Sequence, residues 1–393
     1  MSSARGLTLQ PSPVSLAFPH IQWDPLGSLR LTAQETALLR MAETNPIEYT
    51  LADSRDASMY ARVLLKLLAE ASAAGSVTGE VSKITETCTE EQSLDALDAD
   101  PLGVVTHYAI TKLYDIISML SGGTGVTIST VFYVGKEGIL VDQWKALLRI
   151  LNKGGKGDAY SQSGAALCLA QILLTACPSQ KASSSSKDGQ KNRPISYASA
   201  VEPLEALTAW IVSQLRSSIV GIAIPAMTAL MGSTESRLLF AASGGIKYLS
   251  RHLRLSGKRS GGNKADKKKM PTGASASVQE LYELTFCLWT MSYELNGSAS
   301  VRADFAKDGL AAAALVDLVS VAPREKVVRV ALSALSNLAT CTALVNPGPS
   351  GTPKIDGVTF LTEMIACGLM KAIDLLKDRQ WTDPDIIDGK FFF

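Results

Sequence analysis

The chain has 393 residues, 46% of them apolar and 6% aromatic, with a formal net charge of +1. That length is ample for a large buried core. The near-zero charge excludes a surface that attracts nucleic acid or membrane as a whole. Six cysteines (Cys88, Cys168, Cys177, Cys287, Cys341 and Cys367) are scattered without CxxC spacing. Cysteines so placed act as small hydrophobes in a reducing compartment. No apolar run reaches the ~20 residues that cross a bilayer; the longest, Ile219 to Met231, is short and carries Pro225.

Ala and Leu dominate and strand patterns are almost absent, so the chain reads as all-α. Residues 1–20 form a disordered N-terminal segment, in which Pro11, Pro13 and Pro19 break any signal-peptide core or targeting helix. Leu31 to Ala42 is a helix with Thr32 as N-cap and Glu35 at the capping-box position. Ala57 to Ala74 is a long helix with Val63, Leu64, Leu67 and Leu68 inward, broken by Gly75 to Gly79. Further helices run from Val104 to Leu120, Ile139 to Leu151 (holding Trp144), Asp158 to Cys177, Leu204 to Ser217 and Ile219 to Met231. Two low-complexity insertions, residues 178–196 and 255–276, read as mobile surface loops.

The stretch from Gln279 to Cys341 is the most informative. Gln279 to Leu295 is apolar nearly all round a helical wheel and reads as a buried helix. Asn296-Gly297 ends it, both residues tolerating the left-handed conformation of a helix terminus. A short turn from Val301 to Lys307 and a break at Asp308-Gly309 follow. Leu310 to Val321 is a second helix, ended at Pro323. In the third, Glu325 to Cys341, Val328, Ala331, Leu332, Leu335, Leu338 and Ala339 share one face. Lys326, Arg329, Ser333, Asn337 and Thr340 share the other. Short, medium and long helices in roughly 42 to 44 residues make one armadillo or HEAT repeat.

The pattern recurs. Arg237-Leu-Leu-Phe-Ala-Ala-Ser-Gly244 matches Arg302-Ala-Asp-Phe-Ala-Lys-Asp-Gly309 at an offset of 65 positions, which falls to about 43 without the ~22-residue insertion. Long third helices are expected near Ala57, Val104, Asp158, Ser217, Gln279 and Glu325. The expected architecture is a right-handed α-solenoid of about six armadillo/HEAT-type repeats over residues 21–382, with an acidic linker and chain end over residues 383–393.

Catalytic chemistry finds no support. Three histidines (His20, His107, His252) lie far apart, and no HExxH, GxSxG or paired metal-ligand spacing occurs. His107 reads as a core or boundary residue of its helix. Gly122-Gly-Thr-Gly125 and Gly154-Gly-Lys-Gly157 each follow a helix and not a strand, and Lys156 is followed by Gly, so neither is a phosphate loop. The basic run from Arg251 to Lys269 has no interleaved aromatics for base stacking and reads as a solvated insertion. No catalytic residue, metal ligand or cofactor is therefore expected. The polar stripe Lys326, Arg329, Ser333, Asn337 and Thr340 is the one candidate site. On the inner helix of a solenoid it offers donors to the backbone of an extended partner, and the alternative is a face that simply meets water.

Several segments together resemble the H-subunit family of the vacuolar-type proton ATPase. Leu281-Tyr-Glu-Leu-Thr-Phe-Cys-Leu-Trp-Thr-Met-Ser-Tyr293 is similar to the family's Tyr/Phe-Cys-Leu/Ile-Trp helix. Ala322-Pro-Arg-Glu-Lys-Val-Val-Arg-Val-Ala-Leu-Ser-Ala-Leu-Ser-Asn-Leu338 is similar to its Glu-Lys-Val-x-Arg helix. Met364-Ile-Ala-Cys367 and Trp381-Thr-Asp-Pro-Asp-Ile-Ile-Asp388 follow its Met-Ile-x-Cys and acidic elements, while Ile21-Gln-Trp-Asp24, Trp144-Lys-Ala-Leu-Leu148 and Trp210-Ile-Val-Ser-Gln-Leu215 agree more weakly. The resemblance implies a non-catalytic subunit of the peripheral V1 sector, needed for ATP hydrolysis coupled to proton transport. Its implied partners are the peripheral-stalk E/G coiled coil and the catalytic sector, on the cytosolic face of vacuolar membranes, with no nucleic acid and no membrane insertion. The family's second helical domain is expected to be missing, because the acidic segment leads only to Phe393. An importin-like cargo adaptor is the alternative, but Asn337 has Ser333 and not Trp four residues before it.

Overall fold

A computed structural model describes residues 57–69, 101–121, 128–132, 144–152, 159–176, 197–217, 220–261, 277–341 and 356–387. The described residues are helices and turns, with no strand among them, and the fold is the all-α, helical-repeat solenoid class expected. The expected helix from Leu31 to Ala42, residues 1–20, the glycine clusters and the 178–196 insertion lie outside the described residues. So do 262–276, 70–100, Cys88 and Cys177. The chain divides into two compact units at Pro203/Leu204, inside one helix.

The first unit holds α1 (residues 57–69), α2 (Pro101–Ser121), α3 (Ile128–Phe132), α4 (Trp144–Asn152) and α5 (Ala159–Ala176). The helix α6 (Tyr197–Arg216) runs on into the second unit. α5 is the hub of the first unit, packing against α2, α3 and α4. Its small residues Gly164, Ala165 and Ala166 let α2 approach closely, and a Cβ added at Gly164 would strike the Ile110 side chain. The core includes Leu64, Leu67, Leu113, Ile117, Leu147 and Leu169, all fully enclosed. His107 is exposed, and its ring stacks on Tyr160 at 4.2 Å.

The second unit is where the repeat is plainest. Its helices are α7 (Ile224–Leu230), α8 (Thr234–Ala242), α9 (Gly245–Gly261), α10 (Val278–Ser292), α11 (Ala299–Ala306), α12 (Leu310–Val321), α13 (Glu325–Ala339), α14 (Asp356–Ala366), α15 (Leu369–Lys377) and α16 (Pro384–Ile387). Two three-helix repeats read off directly: α11–α12–α13 run short, medium and long, whereas in α8–α9–α10 the middle helix, at 17 residues, is longer than the third, at 15. Equivalent helices stack on one another. α9 packs on α12 and α12 on α15, making one layer. α7 packs on α10 and α10 on α13, making the other.

The matched segments around Arg237 and Arg302 play matching structural parts. Ser233 and Ser298 are the side-chain N-caps of α8 and α11, supplying the acceptor that a helix start needs. Arg237 Nη1 donates to the Met231 carbonyl at 2.7 Å, and Arg302 Nη1 donates to the Leu295 carbonyl at 2.6 Å. Each guanidinium thus holds the chain just after the preceding helix. The next helix is entered through a left-handed glycine in three successive repeats: Gly244 (φ 76°), Gly309 (φ 58°) and Gly368 (φ 93°). Such a turn reverses the chain within one residue, and glycine takes it without the cost a Cβ imposes.

Several boundaries differ from expectation. Tyr293 to Gly297 close α10 by successive tight turns, and neither Asn296 nor Gly297 has positive φ. Asp308 and Gly309 take the left-handed conformation instead. The stretch from Val301 is a true helix, α11. Ile219 to Met231 is a 3₁₀ turn (Val220–Ile222) followed by α7, with Pro225 in the first turn, where its missing N–H has no cost. α6 begins before Leu204 and carries Pro203 inside it. α9 runs on to Gly261, so the expected insertion at 255 starts later. Of the four cysteines described, Cys168, Cys287 and Cys341 are buried and Cys367 is half-buried.

Arg237 also pairs with Glu294 beyond the end of α10, at 2.8 Å through Nε and 2.5 Å through Nη2. Both side chains are at most 15% exposed, so removing one partner leaves the other charge largely desolvated. Arg237→Ala is therefore expected to lower stability by about 3 kcal/mol. The double change with Glu294→Ala should cost clearly less than the two singles summed, as urea unfolding of the four proteins will show.

Candidate partner-binding face

The face presented by α10 and α13 is built from their N-termini onward. α10 starts with a capping box: Ser277 Oγ accepts from the Glu280 N–H at 3.1 Å, and the Ser277 N–H donates to Glu280 Oε2 at 2.5 Å. Its inner side buries Leu281, Leu284, Cys287, Leu288 and Met291. Burial pushes the Cys287 thiol up to about 12, so it is inert as a nucleophile. Thr228 Oγ1 of α7 lies 3.7 Å from its Sγ.

The outer side of α10 is not buried, against expectation. Tyr282, Phe286 and Trp289 are half-buried and Tyr293 is 58% exposed. Steps of four, three and four residues bring these rings onto one helix face. Successive centroids are 6.3, 5.5 and 5.3 Å apart, the last two pairs edge-to-face. The Lys326 ammonium of α13 sits 4.6 Å from the Tyr282 centroid and donates to Gln279 Oε1 at 3.2 Å. The result is a ladder of four rings with a cation at one end.

Beside it runs the polar stripe of α13. Asn337 Nδ2 donates to Ser292 Oγ of α10 at 2.8 Å. Arg329 Nη1 lies 3.2 Å from Asp383 Oδ2, just before α16. Ser333 Oγ and Thr340 Oγ1 donate to the carbonyls of Arg329 and Ser336 in their own helix. All five expected residues therefore lie along one seam: Lys326 and Asn337 reach α10, Arg329 reaches the next repeat, and Ser333 and Thr340 stay on α13.

The far edge of the seam is tied down by Glu325. Its carboxylate accepts from the Thr382 N–H at 2.5 Å and from Thr382 Oγ1 at 2.6 Å. These hydrogen bonds hold the Glu325 carboxyl below the usual glutamate range. Trp381 Nε1 donates to the Leu376 carbonyl at 2.6 Å, and Arg379 donates to the carbonyls of Ala322 and Ser320 at the end of α12. A part-exposed row of aromatic rings on α10 thus lies beside the polar stripe of α13. No group of three His, Cys, Asp or Glu side chains among the described residues is arranged to hold a metal, and no described helix is long and apolar enough to cross a membrane.

The family model of the V-ATPase H subunit matches residues 104–389, most of the chain and the whole of this face. The chain belongs to the V-ATPase H-subunit family. Among curated relatives it is 26% identical to the V-type proton ATPase H subunit of Dictyostelium discoideum over 285 residues, covering 72% of this chain and 50% of that protein. It is 25% identical over 253 residues to the probable V-type proton ATPase H subunit of Oryza sativa subsp. japonica, covering 63% and 47%. The chain thus spans about half the length of these relatives. An engineered protein of known crystal structure aligns over 90% of this chain and 75% of its own at 15% identity and a TM-score of 0.38, too distant to bear on the fold. Both helices on which the family resemblance chiefly rests, α10 and α13, are the walls of the face.

The aromatic ladder escaped the sequence reading, although the spacing of Tyr282, Phe286, Trp289 and Tyr293 was the signal for it. Nothing in the sequence paired Arg329 with Asp383 or Glu325 with Thr382, which meet only through the repeat fold. A carboxyl whose folded pKa is depressed stabilises the fold above its unfolded pKa, and that contribution is lost as pH falls through the folded value. Acidification below about pH 4 should therefore loosen residues 380–383 from α13, seen as a change in Trp381 fluorescence. In Glu325→Gln that acid step should be absent.

Proposed function

We propose that this chain is a non-catalytic regulatory subunit in the stator of a V-type proton ATPase. It belongs to the peripheral V1 sector on the cytosolic side of vacuolar and other endomembranes. Its task is mechanical. Stacked helices resist torque, and the α10–α13 face grips a neighbouring subunit so that ATP hydrolysis stays coupled to proton transport and acidification. The peripheral-stalk E/G coiled coil and the catalytic sector are the partners this reading assigns. The observation that carries it is the family match, which covers the whole of this face.

Lys326, Arg329, Ser333, Asn337 and Thr340 are the contact residues, acting with the rings of α10. Arg329 is 45% exposed on its side chain, so its guanidinium can bond Asp383 and a partner together. Arg329→Glu with Asn337→Ala should reduce recovery of stalk and catalytic ATPase subunits on the tagged chain by about tenfold, equivalent to ~1.4 kcal/mol. Helical circular dichroism should stay at the wild-type level. Unchanged recovery would remove the α13 stripe from the interface.

A further inference from the structure

α9 differs from its counterparts in charge. Gly245–Gly261 carries five Lys or Arg residues and no acid, in a chain whose net charge is only +1. α12, on which α9 packs, has no basic residue. In α15, Lys377 is offset by Asp374 at 3.2 Å. The positive charge therefore belongs to this helix and not to its place in the repeat.

Spacings of four and three residues put Lys247, Arg251 and Arg254 on one helix face, while Ile246, Leu249 and Leu253 are buried. Lys247 and Arg251 are exposed and have no ion-pair partner among the described residues. Arg254 lies 3.4 Å from Asp317 of α12. A fourth cation joins them from the end of α6, where the exposed Arg216 guanidinium sits 4.4 Å from the Tyr248 ring centroid. Like charges at these spacings repel and weaken a helix. With Asp317 as the one acid paired to it, the patch is left short of counter-charge.

We propose that the α9 edge of the second unit adsorbs to an anionic membrane surface. Lys247, Arg251, Arg254 and Arg216 meet the lipid headgroups, and the apolar side of α9 stays packed within the unit. Lys and Arg clustered on an amphipathic helix are what an anionic leaflet attracts. The contact is superficial, as fits described helices of which none is long and apolar enough to cross a membrane. A single-stranded nucleic acid needs free ring faces among the cations. Tyr248 is the one aromatic residue of α9, and Arg216 occupies a face of its ring. The patch uses none of the residues of the α10–α13 seam, so the proposal holds or fails independently of the stator reading.

Flotation of the whole chain with lipid vesicles tests it. The chain should float with phosphatidylcholine vesicles containing about one quarter phosphatidylserine, and not with phosphatidylcholine alone. Binding should be lost as added salt shortens the screening length from ~10 Å at 0.1 M to ~3 Å at 1 M. Each cation removed should weaken binding about fivefold, so Lys247→Gln with Arg251→Gln should weaken it ~25-fold. Both side chains are exposed, and an unchanged melting curve checks that this variant folds. Lys371→Gln with Lys377→Gln, the same loss of charge placed on α15, should bind as the wild type does.

Equal flotation with phosphatidylcholine alone would overturn the proposal, and so would indifference to the Lys247/Arg251 change. An equal loss in the α15 variant would reduce the effect to net charge and also overturn it. Tighter binding to polyglutamate or to duplex DNA than to the anionic vesicles, at the same salt, would assign the patch to an acidic protein segment or to nucleic acid instead.

Discussion

In the second unit, helices of neighbouring repeats stack on their counterparts. α9 lies on α12, α12 on α15, and α10 on α13. α12 is the centre of this arrangement: Ala311, Ala312, Ala313 and Ala314 are all buried, together with Leu315, Val316, Leu318 and Val319. Short alanine side chains allow neighbouring helices to approach on several sides at once, and the larger residues fill what remains at crystal-like density. A helix of twelve residues has little stability of its own in water, so α12 exists because its neighbours cover it. The left-handed glycines before α9, α12 and α15 keep the chain re-entering this layer at the same point.

Polar ties then fix the rotation of one repeat against the next. Arg329 with Asp383 and Glu325 with Thr382 each join residues more than fifty positions apart across a repeat boundary, while Arg237 with Glu294 ties the start of one repeat to its own end. Apolar packing is tolerant of small rotations, whereas a guanidinium–carboxylate pair is directional. Such ties make the α10–α13 face a surface of defined shape. For a subunit whose proposed work is to transmit force and hold a partner, that rigidity is the functional property.

Much of this was legible because helical period is a local signal. The amphipathic pattern of α13 and the Arg-x-x-Phe-Ala offset between α8 and α11 needed no tertiary knowledge. α10 shows where legibility stops. A helix apolar on every side reads as buried, yet whether its outer rings are covered depends on neighbours the sequence does not order in space. Asn296-Gly297 looked like the left-handed stop, but the strain went to Asp308 and Gly309, because the re-entry into α12 demands the sharper reversal. The latches were invisible for the same reason: Glu325 and Thr382 become neighbours only after two repeats have stacked.

The central claim is that neighbouring repeats, and not one shared core, stabilise the second unit. Native-state hydrogen exchange on a Leu376→Ala variant tests it most directly. Leu376 of α15 is 2% exposed, and truncating such a residue removes about 2–5 kcal/mol. Protection should fall strongly in α15, α14 and α12, less in α9, and hardly at all in α7. An equal loss of protection from α7 through α15 would contradict the account.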